Sequence, residues 1–466
     1  MSKTFVPYAE NQQYLMPPSL RDWLPEGHLA LFVGDVVDSL DLSAILLTYE
    51  KGDGRGQPPY HPRMMVKLLI YAYCTGRPSS RRIERATYDE VPYRVLAANL
   101  HPDHDSVASF RKRHLQALAG LFFQVLQLAQ RMGLVKLGHV AIDGTKVKAN
   151  ASKHKAMSYQ RMCETEVRLQ AEVEGLLAAA EKADADEDGE HGKGKRGDEL
   201  PSELRRREDR LKKIREAKAA LESHAREQAE ADAADARRKL AERADNEAKT
   251  GKKTAGRVPQ VPDVETAKPE PKAQRNFTDP ESRIMLDGAS KGFEQCYNVQ
   301  TAVDDAHQII VATDVTQQAN DKQQLVPMLA KVSENMGQLP GKTSADCGYF
   351  SDAAVSHPSL AGADLYVPPD RQKHGQELPD PDGDIVLMTA ADKMRKKLAA
   401  VPGRAVYKMR KAIVEPVFGQ IKQARGFRRF SFRGLASVTA EWFLVCATHN
   451  LLKIFRSGRQ FRALPA

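Results

Sequence analysis

Apolar residues recur at helical spacing through the first third of the chain and alternate at strand spacing in several later stretches. Trp23-Leu24-Pro25 and the apolar run from Leu29 to Leu47 predict short helices, with Ser39 and Ser43 as caps. From His61 to His114 the pattern is firmly helical: Pro62 suits a first turn, and Met64, Met65, Leu68 and Leu69 share a face. Gly76-Arg-Pro-Ser-Ser80 reads as a turn whose serines cap a second helix carrying Arg81, Arg82 and Arg85. Ser106 is the expected cap of a third helix through Phe110-Arg-Lys-Arg-His114, and Leu115 to Met132 forms another, closed by Gly133.

The period then changes. In His139-Val-Ala-Ile-Asp-Gly-Thr-Lys-Val-Lys148, Val140 and Ile142 alternate with Ala141 and Asp143, as in a strand. Asp143-Gly144 is expected where that strand meets a bend, an ordinary Asp-Gly turn being the plainer alternative. From Ser158 to Lys249 the chain is rich in Ala, Glu, Arg and Lys. Leu169, Val173, Leu176 and Ala180, then Leu204, Leu211, Ile214, Ala217, Leu221 and Ala225, predict two long helices in an antiparallel hairpin. A loop over Asp184 to Glu199 joins them, and residues 250 to 275 read as a flexible return. Tyr297 to Val303 and Ile309 to Val315 predict strands of one hairpin. Asn320-Asp-Lys-Gln323 reads as a capping box opening a helix to Met336. Short strands at Thr343 and Asp364, a helix after Ser351, a loop over 369 to 390, a basic helix and a last apolar helix from Ala436 to Phe455 complete a mixed sheet with helices on its faces.

Charge sharpens this picture. Residues 391 to 466 hold 17 Lys/Arg against 3 Asp/Glu, a net of +14, while the whole chain is +9, so residues 1 to 390 carry −5. Glu415 is a lone acid in that basic region. On one helix, Ile413, Val417 and Ile421 form an apolar stripe, and Lys408, Lys411, Glu415 and Lys422 share another face. Pro416 predicts a kink or a helix start there. The helices from His61 to His114 hold 10 Lys/Arg against 5 Asp/Glu, which suits DNA docking or, more plainly, a packing or dimerisation role. Five scattered cysteines without a Cys-x-x-Cys pair argue against a zinc site or a disulfide framework and for a reducing cytoplasm. No apolar run reaches 18 residues, and the first ten residues lack a signal core, so no membrane partner is expected.

Asp143 and Asp346 both follow short apolar strands, and Glu415 can join them from a packed helix. Each acid alone has an ordinary structural reading. Together, without Cys or His, they favour Mg²⁺ or Mn²⁺. Two such ions activate water or a 3′-hydroxyl and stabilise the leaving oxygen of a phosphodiester. Lysines beside Glu415 then hold flanking phosphates.

With these residues in place the chain resembles the bacterial insertion-sequence transposases with an Asp-Asp-Glu (DDE) active site, in the subgroup with an InsH-like helical N-terminal domain. His61-Pro-Arg-Met-Met-Val-Lys-Leu-Leu and Asp103-His-Asp-Ser-Val-Ala-Ser-Phe-Arg-Lys-Arg-His carry the N-terminal likeness. Asp143-Gly-Thr-Lys-Val-Lys-Ala-Asn, Ala345-Asp-Cys-Gly-Tyr and Val414-Glu-Pro-Val-Phe-Gly-Gln-Ile-Lys422 match the three catalytic motifs. Asp279-Pro-Glu-Ser-Arg-Ile-Met and Tyr297-Asn-Val-Gln-Thr-Ala-Val-Asp match the segment after the helical insertion. The resemblance implies an α/β RNase H-like catalytic domain, its mixed sheet flanked by helices, interrupted by a long helical hairpin and preceded by an all-α domain. The expected parts are residues 1–135 for DNA binding or dimerisation (core about 15–115), 136–157 and 276–456 for the catalytic domain, 158–275 for a coiled-coil-like insertion, and 457–466 for a basic tail. Asp143, Asp346 and Glu415 are implied as catalytic ligands of two Mg²⁺ or Mn²⁺ ions. A Tyr-x2-Arg-x3-Glu-x6-Lys signature implies contacts of Tyr407, Arg410, Lys411 and Lys422 with terminal phosphates. Glu415-x6-Lys422 fits this spacing. Tyr407-x2-Arg410 lies one residue too far from Glu415, and Lys411 occupies the Arg position.

The expected function is binding of the element's terminal inverted repeats and metal-dependent cleavage and strand transfer. The partners are double-stranded DNA, as transposon ends and target, and further copies in a homodimer or higher synaptic oligomer. The expected location is the bacterial cytoplasm, at the nucleoid. The alternatives are an RNase H-like nuclease without strand transfer, an inactive DNA-binding derivative, and a coiled-coil scaffold.

Overall fold

Seven α-helices come first among the described residues: α1 (Leu29–Ser39), α2 (Ser43–Glu50), α3 (Pro62–Cys74), α4 (Ser80–Asp89), α5 (Val91–Leu96), α6 (His104–Arg113) and α7 (Leu115–Arg131). The structure is a computed structural model that describes residues 19–50, 58–191, 202–251, 253–254, 256–288, 291–371, 381 and 388–459. The expected loop over 369–390 and the basic tail from 457 fall largely outside them. Pro62 opens α3 after His61, as its position suggests. Other caps differ from expectation. His28 Nδ1 accepts from Ala30 N at 3.1 Å to cap α1, and Asp41 accepts from Ser43 N at 2.8 Å ahead of α2. Ser39 lies in the last turn of α1, where its hydroxyl donates back to Val36 O. Asp103, not Ser106, caps α6: its carboxylate accepts from both the amide and the hydroxyl of Ser106.

The chain divides into two compact units, residues 1–147 with 298–466, and residues 148–297. In the first, strand β1 (His139–Lys148) lies at the centre of the sheet. The rest of the chain supplies β2 (Ala156–Ser158), α8 (Tyr159–His191), α9 (Ser202–Thr250), β3 (Gln274–Asn276), β4 (Arg283–Leu286), β5 (Phe293–Asp304), β6 (Ile310–Thr316), α10 (Leu325–Met336), β7 (Lys342–Ser344), α11 (Asp352–Val355), β8 (Leu365–Tyr366), α12 (Ala390–Ala399), α13 (Val401–Gly419) and α14 (Leu435–Arg456). The sheet runs β5-β1-β7-β8, with β6 added to β5. The β5–β6 pair is the expected antiparallel hairpin, while β1–β7 and β7–β8 are parallel, so the sheet is mixed. β1 does not bend at Gly144 but continues to Lys148. No helix among the described residues is long and apolar enough to cross a membrane.

The second unit holds the long helices. Glu166 on α8 pairs with Arg215 and Lys218 of α9, and Glu172 pairs with Arg207, so residue numbers rise along one helix as they fall along the other. The two helices are therefore antiparallel. Met162, Leu169, Leu211, Ile214 and Ala217 form their buried seam. Helix α8 runs to His191, well into the stretch expected as loop; residues 192–201 lie outside the described residues.

Within the first unit, α14 packs on β6 and on the N-terminal helices α3 and α7. Its Trp442 is fully buried and donates Nε1–H to Thr313 Oγ1 of β6 at 2.6 Å. Asn450 takes both backbone groups of Ile310. Glu441 is completely buried, and its two oxygens accept from Tyr73 Oη of α3 at 3.0 Å and Ser431 N at 2.8 Å. Apolar substitution there orphans buried donors, at about 1–3 kcal/mol each. Glu441→Leu is therefore expected to lower the urea midpoint of unfolding by an amount equivalent to at least one such donor. An unchanged midpoint excludes the network as a source of stability.

Candidate active site

The acids come together through strand register. In the parallel β1–β7 pair, Val140 lies opposite Thr343 and Ala141 opposite Ser344. Continuing that register by two residues puts Asp143 level with Asp346, where β7 has ended. Carboxyl ends of parallel strands are where α/β sheets bind ligands. Asp346 cannot extend the strand because its Oδ1 accepts from Gly348 N at 2.8 Å and caps a single 3-10 turn over Cys347–Tyr349.

Arg410 of α13 reaches this point. Its guanidinium lies 3.1 Å from Asp143 Oδ2, with only 8% of the arginine side chain and 20% of the aspartate side chain exposed. The Tyr407 ring centroid lies 5.9 Å from the guanidinium carbon, one helical turn back. Burial pushes the Asp143 carboxyl up to about 6, and the charge of Asp346 adds to this while Arg410 opposes it. Asp143 and Asp346 thus place two acids beside one arginine in a half-buried site. That donor set, all hard oxygen, fits a divalent cation at Asp143 and Asp346.

Glu415 is not part of this cluster. It is exposed, and among the described residues no group of three or more His, Cys, Asp or Glu side chains lies close enough to hold a metal ion. The helical faces explain why. Ile413, Val417 and Ile421 are buried as the stripe predicts, whereas Lys408, Lys411 and Glu415 face solvent. Pro416 neither starts nor ends α13. The amide it lacks would have bonded to Ala412 O, and Gln308 Nε2 donates there instead at 3.0 Å. The helix passes into a π-helical turn over Gln420–Ala424, which turns Lys422 inward. Its ammonium donates to Thr145 Oγ1 and Lys146 O of β1, both at 2.6 Å.

A polar group that the sequence did not reveal lies beside Asp143. Asp321 accepts from Asn298 Nδ2 and Gln300 Nε2, both at 2.6 Å, and lies 3.8 Å from Lys146 Nζ. The fully buried Tyr349 donates its hydroxyl to Gln300 Oε1. Asp321 is therefore not in a capping box: α10 begins only at Leu325, after Gln324, which makes no side-chain cap. The available signal was Asn298 and Gln300, two residues apart on one strand and hence on one face. Gly144 abuts this group. A Cβ there would lie 2.5 Å from Gln300 Nε2 and 2.8 Å from Asp321 Oδ1, which is why the residue after Asp143 is glycine.

Two family models match the chain. A Transposase domain (DUF772) covers residues 18–113, which include α1 to α6. A Transposase DDE domain covers residues 384–455, with Arg410, Glu415 and Lys422 inside it and Asp143 and Asp346 outside it. No curated protein and no solved structure matches significantly.

Gly144→Ala is expected to destabilise the protein by about 1–3 kcal/mol, through overpacking, in thermal melts; a neutral result excludes the close approach. The raised Asp143 carboxyl sets a pH dependence. Between its ordinary 3.8 and about 6, the folded chain holds a proton that the unfolded chain has released. Stability contributed by this group is thus present at low pH and lost as pH rises through that window. Asp143→Asn removes the loss, so its melting temperature should gain on the wild type from pH 4 to pH 6.5. A constant difference across that range refutes the assignment.

Proposed function

We propose that this insertion-sequence DDE transposase binds the terminal inverted repeats of its element and catalyses cleavage and strand transfer on an RNase H-like domain. The two transposase matches support the enzyme class. The observation that carries the site is the β1–β7 register, which sets Asp143 level with Asp346 beneath the Arg410 guanidinium. Asp143 and Asp346 are the assigned cation ligands; Glu415, exposed on α13 rather than beside them, is the third ligand that the DDE motif implies and would have to move to reach the cation. Bound Mg²⁺ or Mn²⁺ supplies an activated water or 3′-hydroxyl and neutralises charge on the leaving oxygen.

The chain's own residues do the rest. Arg410 holds the Asp143 carboxylate charged and oriented, and its buried Nε–H has no hydrogen-bond partner among the described residues. That donor is suited to a phosphate oxygen of the bound strand. Tyr407 flanks the guanidinium. Exposed Lys408 and Lys411 offer further phosphate contacts, while Lys422 steadies β1 beside the site. Residues 1–135 are assigned to DNA-end recognition, with the exposed Arg81 and Arg82 on α4 as contacts. Paired ends require a dimer or higher oligomer, acting at the bacterial nucleoid.

The test is a gel assay on DNA carrying the gene's own flanking ends, with Mg²⁺ or Mn²⁺ and a second plasmid as target. Wild-type protein should cleave the ends and join them. Asp143→Asn, Asp346→Asn and Glu415→Gln should each lose cleavage by at least a hundredfold while binding ends within a few-fold of wild type. Cleavage without joining indicates a nuclease, and binding without cleavage an inactive descendant. Retained cleavage in Glu415→Gln removes that residue from the ligand set.

A further inference from the structure

The second unit contains a cavity of about 440 Å³ between the short β2–β3 segment and the helical pair, with Lys155, Arg161, Arg210 and Lys213 among the residues lining it. No aspartate or glutamate lines it among the described residues. The four cations have no ion-pair partner among the described residues, unlike their neighbours on α9: Arg207 pairs with Glu172, and Arg215 and Lys218 both pair with Glu166. The hairpin thus neutralises the cations along its seam and leaves these four facing one space. Part of the wall is apolar, from buried Ile214 and half-buried Phe277.

All four cations are exposed at this opening, so an anion docked among them would contact each of them and relieve their mutual repulsion. Their long side chains present several donors around a space large enough for more than one phosphate oxygen. The apolar wall suits the sugar or base face of the same strand. We infer that this cavity is a docking site for the phosphodiester backbone of DNA, which makes the helical insertion a DNA-binding element in its own right. The inference rests on the reading of the chain as an enzyme acting on DNA, but involves none of the residues assigned to catalysis.

Two charge-matched variants of the full-length protein test it. Arg210→Gln with Lys213→Gln removes two cavity cations. Arg226→Gln with Arg237→Gln removes two exposed cations elsewhere on α9. Binding to a duplex carrying the element's ends is measured by fluorescence anisotropy from 50 to 300 mM salt, after melting curves show both variants folded. Each lost phosphate contact flattens the plot of log K against log salt by about 0.9. The cavity pair should bind roughly tenfold more weakly at moderate salt, with a slope flatter by nearly two, and the control pair should follow the wild type within about twofold. Equal effects of both pairs, or none from either, overturn the inference and leave the proposed function standing. A wild-type protein that binds no DNA overturns both.

Discussion

A carboxylate carried inside a sheet must be met by a cation or a proton, and much of the first unit is arranged around meeting that demand at Asp143. Arg410 does so from α13, at 3.1 Å. To deliver a buried guanidinium there, α13 must lie with its Ile413, Val417 and Ile421 stripe inward, which sends Lys408, Lys411 and Glu415 outward. The strand must also tolerate crowding on its other side, and Gly144 provides the room taken by Gln300 and Asp321. One electrostatic requirement thus links a strand, a helix face and a glycine.

The proline within α13 shows how closely the helix is fitted to the sheet. Pro416 leaves Ala412 O without its helical donor, and the side chain of Gln308, from the β5–β6 turn, supplies one. Gln308 itself has a left-handed φ of 56° and is tied by Oε1 to Lys453 of α14. A kink is unnecessary when the missing bond is replaced from outside. On the other side of α14, Glu441 joins Tyr73 of α3 to the turn before the helix. The N-terminal helices therefore share a buried polar network with the part of the chain that carries the DDE match.

The secondary structure was largely legible because burial and period coincide. The helices α3 and α7, the β5–β6 hairpin and the apolar α14 all carry continuous apolar faces. Helix starts were less legible. Ser43 and Ser106 are good caps by type, but the neighbouring Asp41 or Asp103 is the better placed acceptor in each case, and Ser39 lies at the end of α1 rather than at a start. A capping residue is chosen by where the backbone turns, which local composition constrains only loosely. The same competition misassigned Asp321, whose motif looked like a helix cap until two amides on a strand claimed its carboxylate.

By itself the sequence singled out the candidate acids, two after short strands and a third in a basic helix, and an excess of positive charge at the C-terminal end. It determined the amphipathic faces too, because period 2 and period 3.6 are local properties of the chain. What lay beyond it was which of those groups meet. Asp143 and Asp346 are 203 residues apart, and only the parallel register of β1 and β7 makes them neighbours. Arg410 is at Asp143, while Glu415 is in solvent, because a five-residue separation on a helix places two side chains well apart around its axis. Distances between residues remote in sequence are set by packing, and packing exists only once the chain has folded.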